Sequence, residues 1–139
     1  MSNGRVIGVG GVFFVSEDPK ALYQWYEENL GLVNNGYGFL FERSDKASDR
    51  GYLQFSAFSN NDYIKPSPKN FMINFRVDNL DVLLEKLATK GIHPCKEPES
   101  FEYGKFAHIL DPENNKIELW EPVDEVMKTY DDGKNVNRP

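Results

Sequence analysis

The chain has 139 residues, 40% of them apolar and 14% aromatic, with a formal net charge of −6. That composition suits one packed domain and excludes a disordered chain, while the acidic balance argues against nucleic acid, whose binders present a basic patch. A single cysteine, Cys95, excludes an intrachain disulfide; no apolar run reaches the roughly 18 residues of a membrane span and no charged-then-apolar segment opens the chain, so a cytoplasmic protein with no membrane partner is expected.

The run Val6–Val15, VIGVGGVFFV, is β-branched and aromatic and reads as a buried strand; its glycines at 8, 10 and 11 suggest a bulge or a close approach by another group. Ser16 to Asp18 followed by Pro19 is a helix start, a capping side chain and then proline in the first turn. The helix carries Leu22, Tyr23, Trp25, Tyr26 and Leu30 at amphipathic spacing and ends at Gly31. Tyr37 to Glu42 and Gly51 to Phe58 read as strands joined by a charged loop. Asn60 to Asn70, with two prolines and no periodicity, reads as a connector. The pattern then restarts: strand Phe71 to Val77, a cap at Asp78 or Asn79, a helix bearing Leu80, Leu83, Leu84 and Leu87, and Gly91 at its end. Short strands follow at Ile92 to Cys95, Lys105 to Leu110 and Lys116 to Glu121, the last two joined by the turn Asp111 to Asn115.

The two halves share a period of 60, aligning Asp18 with Asp78, Gly31 with Gly91 and Leu32 with Ile92. Each half reads strand, helix, then two or three strands. An α+β fold is expected: two βαβββ modules in one domain over 1–139, module one at about 5–59, the connector at about 60–70, module two at about 71–122 and a polar tail at about 123–139. The helices cover one face, and the other faces curl around a cleft.

DPKALYQWYEENLGL in the first half, FRVDNLDVLLEKLATKGI in the second and DPENNKIELWEP at the end resemble the vicinal oxygen chelate superfamily, which includes glyoxalase I, extradiol dioxygenases and bleomycin-resistance proteins. The resemblance covers about Val6 to Pro122 and implies a half-barrel cleft that often holds a divalent metal. It places four metal-ligand positions on Glu118, Gln54, Gly11 and Met72. Glycine has no side chain and a thioether is a poor ligand for such ions, so no metal and no cofactor are expected. The resemblance also implies a homodimer.

Side chains alternate along a strand. If Glu118 faces the cleft, so do Lys116 and Trp120, while Ile117 and Leu119 face the core. The same parity puts Met72, Asn74 and Arg76 on the cleft face, then Tyr52, Gln54, Ser56 and Phe58, then Gly11, Phe13 and Val15; the facing of Phe106 and His108 stays open. Phe13, Gln54, Phe58, Asn74, Arg76, His108 and Trp120 are the candidate ligand-binding residues, an aromatic wall with a few polar groups.

Three functions fit. The first is metal-independent binding of a small organic ligand, planar or cationic, stacked on Trp120 or Phe13. The second is a glyoxalase-type lyase or isomerase with Glu118 as catalytic base. The third is a non-catalytic dimerisation or regulatory module.

Overall fold

The computed structural model describes residues 4–42, 51–131 and 136–137. Its centre is one mixed sheet. Seven strands, β1 (Val6–Val15), β2 (Phe39–Phe41), β3 (Leu53–Phe58), β4 (Phe71–Val77), β5 (Glu99–Phe101), β6 (Gly104–Leu110) and β7 (Lys116–Pro122), lie in the order β2-β3-β1-β4-β7-β6-β5. β1 and β4 pair antiparallel at the middle, and each pairs parallel with the last strand of its own module, β1 with β3 and β4 with β7. The second module is βαβββ in full. The first repeats it with its first hairpin strand reduced to the bridge between Asn34 and Phe39. The expected α+β architecture of paired modules is the observed one.

Local chemistry sets the helix ends. In α1 (Pro19–Leu30) the Asp18 carboxylate accepts the Ala21 N–H at 3.1 Å and proline occupies the first turn, where its missing N–H costs nothing. Gly31 then adopts φ 69°, a left-handed conformation that closes the helix by donating its N–H to the Glu27 carbonyl. In α2 (Leu80–Thr89) the cap is Asn79, whose side chain accepts from Val82 N–H at 3.2 Å, while Asp78 takes the Arg5 N–H. Both helices cover one face of the sheet. Leu80, Leu83, Leu84 and Leu87 of α2 pack on Val77, Ala107 and Leu119, and Tyr23 and Tyr26 of α1 pack edge-on against Phe39 and Phe55.

Three segments depart from expectation. Ile92 to Cys95, expected as a strand, is irregular, and the edge strand of the second module is β5 a few residues later, where Glu99–Phe101 pairs with β6. The end of the chain, expected to be a polar tail, contains a helix, α3 (Asp124–Asp131), whose Met127 is buried with Trp120, Leu40 and Tyr52. Beyond it Asn137 pairs with Phe41, accepting the Val33 N–H at 2.8 Å and donating its side-chain amide to the Val33 and Leu40 carbonyls. The connector is likewise part of the core, because its Ile64 is fully buried against Phe13 and Met72.

Candidate functional site

On the face opposite α1 and α2 lies a cavity of about 590 Å³. Pairing registers explain its floor. Leu40, Gln54, Gly11, Asn74, Glu118 and His108 are successive partners across β2, β3, β1, β4, β7 and β6. Directly opposed residues point to the same face. From Gln54 to His108 a row of polar side chains therefore crosses the cleft, interrupted by Gly11, with Leu40 at its end.

Glu118 is the hub of that row. It is 3% exposed, and its Oε1 accepts the Asn74 side-chain N–H at 2.7 Å. Its Oε2 accepts the Tyr63 hydroxyl at 2.6 Å and lies 2.8 Å from His108 Nε2. With Glu118 ionised, Nε2 carries the proton and donates. Burial by itself pushes the Glu118 carboxyl upward, but the hydrogen bonds from His108, Tyr63 and Asn74 together with the charge of His108 outweigh it and hold the group below the ordinary carboxylate range. The same burial, reinforced by the Glu118 charge, pushes the Tyr63 hydroxyl far upward, so it remains a donor. Lys116, also buried, donates to the Tyr63 and Lys65 carbonyls at 2.6 and 3.0 Å, with its ammonium 5.1 Å from the Tyr63 ring centre. Its pKa is lowered by burial.

The walls are aromatic. Phe13, Tyr103, Phe106 and Trp120 line the cavity, with Leu40 and Met127 beside them and Tyr37 and Asn35 from the loop before β2. Phe106 and Trp120 run parallel, their ring centres 6.0 Å apart. Among the described residues two buried polar atoms have no hydrogen-bond partner, Asn74 Oδ1 and Trp120 Nε1. The registers slip between Val9 and Gly11, which brings Gly10 onto the cleft lining as well. A Cβ at Gly10 would overlap Asn74 Oδ1 and sit 2.9 Å from Trp120 Cε3, so only glycine leaves room for the amide there.

Of the residues expected in the site, the structure gathers Phe13, Gln54, Asn74, Glu118 and Trp120 on the cavity lining. His108 stands behind Glu118 and acts through it. Phe58 packs on Phe13 in the neighbouring core rather than on the cavity. Arg76 turns along β1 and donates to the Val9 and Tyr52 carbonyls, each at 2.7 Å, so its guanidinium serves backbone acceptors. Tyr63, Gly10, Tyr103, Phe106 and Met127 complete the site. Parity reached Phe106 as one of two options. Tyr63, in a segment without periodicity, gave no signal beyond being an aromatic shortly before two prolines.

The donor set does not fit a divalent-metal centre of the superfamily type. The register puts Asn74, not Met72, opposite Glu118, while Met72 is fully buried beside Phe13. Gly11 supplies nothing, both Glu118 oxygens already accept, and His108 directs Nε2 at Glu118. Among the described residues no three His, Cys, Asp or Glu side chains converge.

No family model matches the chain, and no curated protein does. Solved structures do. Methylmalonyl-CoA epimerase from Mycobacterium tuberculosis is 18% identical, with a TM-score of 0.58 over 92% of this chain and 96% of that one. A variant of the Streptomyces coelicolor methylmalonyl-CoA epimerase, in complex with 2-nitronate-propionyl-CoA, is 14% identical, with a TM-score of 0.58 over 86% of this chain and 99% of that one. An NAD-dependent benzaldehyde dehydrogenase from Legionella pneumophila is 16% identical, with a TM-score of 0.53 over 81% of this chain and 97% of that one. At these identities the likeness is one of fold alone, and the similar structures carry differing activities. No described helix is long and apolar enough to cross a membrane.

Proposed function

We propose that the chain binds a small organic molecule in this cleft without a metal. The observation that carries the reading is a cavity of about 590 Å³ walled by Phe13, Tyr103, Phe106 and Trp120, whose floor holds a polar network anchored on one buried carboxylate. A concave apolar surface with a few fixed polar groups is the usual form of a small-molecule site. The ligand named for the epimerases does not transfer readily. Among the described lining residues there is no Lys, Arg or His to meet the charges of a coenzyme A thioester.

A lyase or isomerase using Glu118 as base stands second. Favouring it are the glyoxalase-like fold and an ionised carboxylate bordering the cavity. Against it, three donors already hold the two oxygens, which weakens the group as a base.

A thermal-shift screen of small aromatic compounds tests the binding reading. A ligand at a hundredfold excess over its Kd stabilises a one-site protein by about 2.7 kcal/mol, a shift of several degrees. Gln54→Phe, which fills the cavity from β3, is expected to abolish that shift while the unliganded protein still melts cooperatively. An undiminished shift in the variant would place binding elsewhere.

A further inference from the structure

Resting on that reading of the cleft, we infer that Tyr37 is a ligand-contact residue: its ring closes over one face of a flat aromatic ligand whose other face lies on the aromatic wall of the second module. Tyr37 is 82% exposed, more than any other large hydrophobic side chain among the described residues, and it stands on the lining of the cavity. Its backbone is fixed there. The Tyr37 carbonyl accepts the Ser56 hydroxyl at 2.7 Å and the Tyr23 hydroxyl at 3.3 Å, and its N–H donates to Asn35 Oδ1 at 3.0 Å. The flanking glycines, Gly36 at φ 97° and Gly38 at φ 131°, take conformations that other residues rarely adopt, and a Cβ at Gly38 would collide with the Phe55 carbonyl oxygen.

The side chain has no such ties. Among the described residues no aromatic ring pairs with that of Tyr37, and its hydroxyl has no hydrogen-bond partner in the protein. The loop thus holds a ring at the cavity without using that ring in the fold. An opposing surface comes from the other end of the sheet. β2, which Tyr37 precedes, and the β5–β6 hairpin are the two ends of the strand order, yet Tyr37 and the hairpin's Tyr103 and Phe106 line one cavity. The sheet therefore curls so that its two rims border the same space. Tyr103 and Phe106 are only partly buried, so ring surface is left for a ligand on that side. A flat ring between the rims is contacted on both faces. Its arrival orders only the two side-chain torsions of Tyr37, because the backbone is already held. A saturated, puckered molecule of the same skeleton fills the volume but cannot lie flat on either rim.

Calorimetric titration of the full chain with 2-naphthol and with its saturated counterpart decahydro-2-naphthol tests this; both are uncharged near neutral pH. The expected result is that 2-naphthol binds at least roughly tenfold more tightly than the saturated probe. Tyr37→Ala is expected to weaken 2-naphthol roughly tenfold while the melting temperature of the unliganded protein stays unchanged. Tyr37→Phe, which keeps the ring, should restore the affinity, and Tyr37→Leu, which keeps apolar bulk without a flat face, should not. Undiminished binding in Tyr37→Ala, restoration by leucine, or equal affinity for the two probes, with binding still lost in Gln54→Phe, would overturn the role of Tyr37 and leave the cleft reading standing. Absence of binding by both probes, or binding insensitive to Gln54→Phe, would overturn both.

Discussion

At the scale of single residues the account turns on Glu118. A carboxylate at 3% exposure is tolerated only because every oxygen is served, by Asn74 on one side and by Tyr63 and His108 on the other. Its depressed pKa makes this a statement about acid stability. A group whose folded pKa lies below its unfolded value contributes stability that is fully present above the unfolded value and is lost as pH falls through the folded one. The protein should therefore lose stability progressively on acidification below the ordinary glutamate range, and Glu118→Gln should flatten that dependence. Urea unfolding across an acid series, wild type against variant, measures it; an unchanged pH dependence in Glu118→Gln would show that other carboxylates dominate. Removing the hub altogether with Glu118→Leu strands three donors and should cost about 3–5 kcal/mol. Most of this row was legible in the sequence. Period-two alternation places Phe13, Gln54, Asn74, Glu118 and Trp120 on one face, and that parity holds because each of their strands is paired on both sides. Arg76 obeys the same parity, yet its long side chain reaches the Val9 and Tyr52 carbonyls, a choice set by tertiary acceptors that alternation does not encode.

At the scale of elements, what escaped the sequence is what lacks a period. The slip in β1 between Val9 and Gly11 adds Gly10 to the cleft lining, and the glycines that hinted at a close approach did not say by what. The connector looked like a spacer and is a structural strap. Ile64 is buried in the core, the Tyr63 hydroxyl reaches Glu118, and Lys116 holds the Tyr63 and Lys65 carbonyls. Proline and asparagine mark it as irregular, but irregular backbone is ordered wherever side chains and cations satisfy its polar groups. Lys116→Met leaves those two carbonyls without their ammonium. Amide hydrogen exchange at Ile64, Lys65 and Ser67 is expected to accelerate at least roughly tenfold, with β4 and β7 little changed. Equal acceleration in the strands would mean that the lysine supports the whole fold and not the strap.

At the scale of the whole molecule, two modules meet along β1 and β4, and the cleft exists because both helices lie on the other face. The repeat legible at a period of 60 fixes helices and caps, but the strand registers pair Gly11 with Gln54 and Asn74 with Glu118, so equivalent strand positions differ by 63 or 64. That offset is why Met72 was expected where Asn74 stands. The C-terminal segment adds Met127 to the cavity lining, a contribution that a polar run with isolated apolar residues conceals. The protein carries two tryptophans that report on the central claim separately: Trp120, 5% exposed on the cleft wall, and Trp25, 52% exposed on α1. The most direct measurement is the pair of indole N–H signals in nitrogen-15 spectra during titration with unlabelled indole. Binding in the cleft should shift the Trp120 signal saturably and leave Trp25 in place; movement of Trp25 alone, or of neither, would contradict a ligand site on this face.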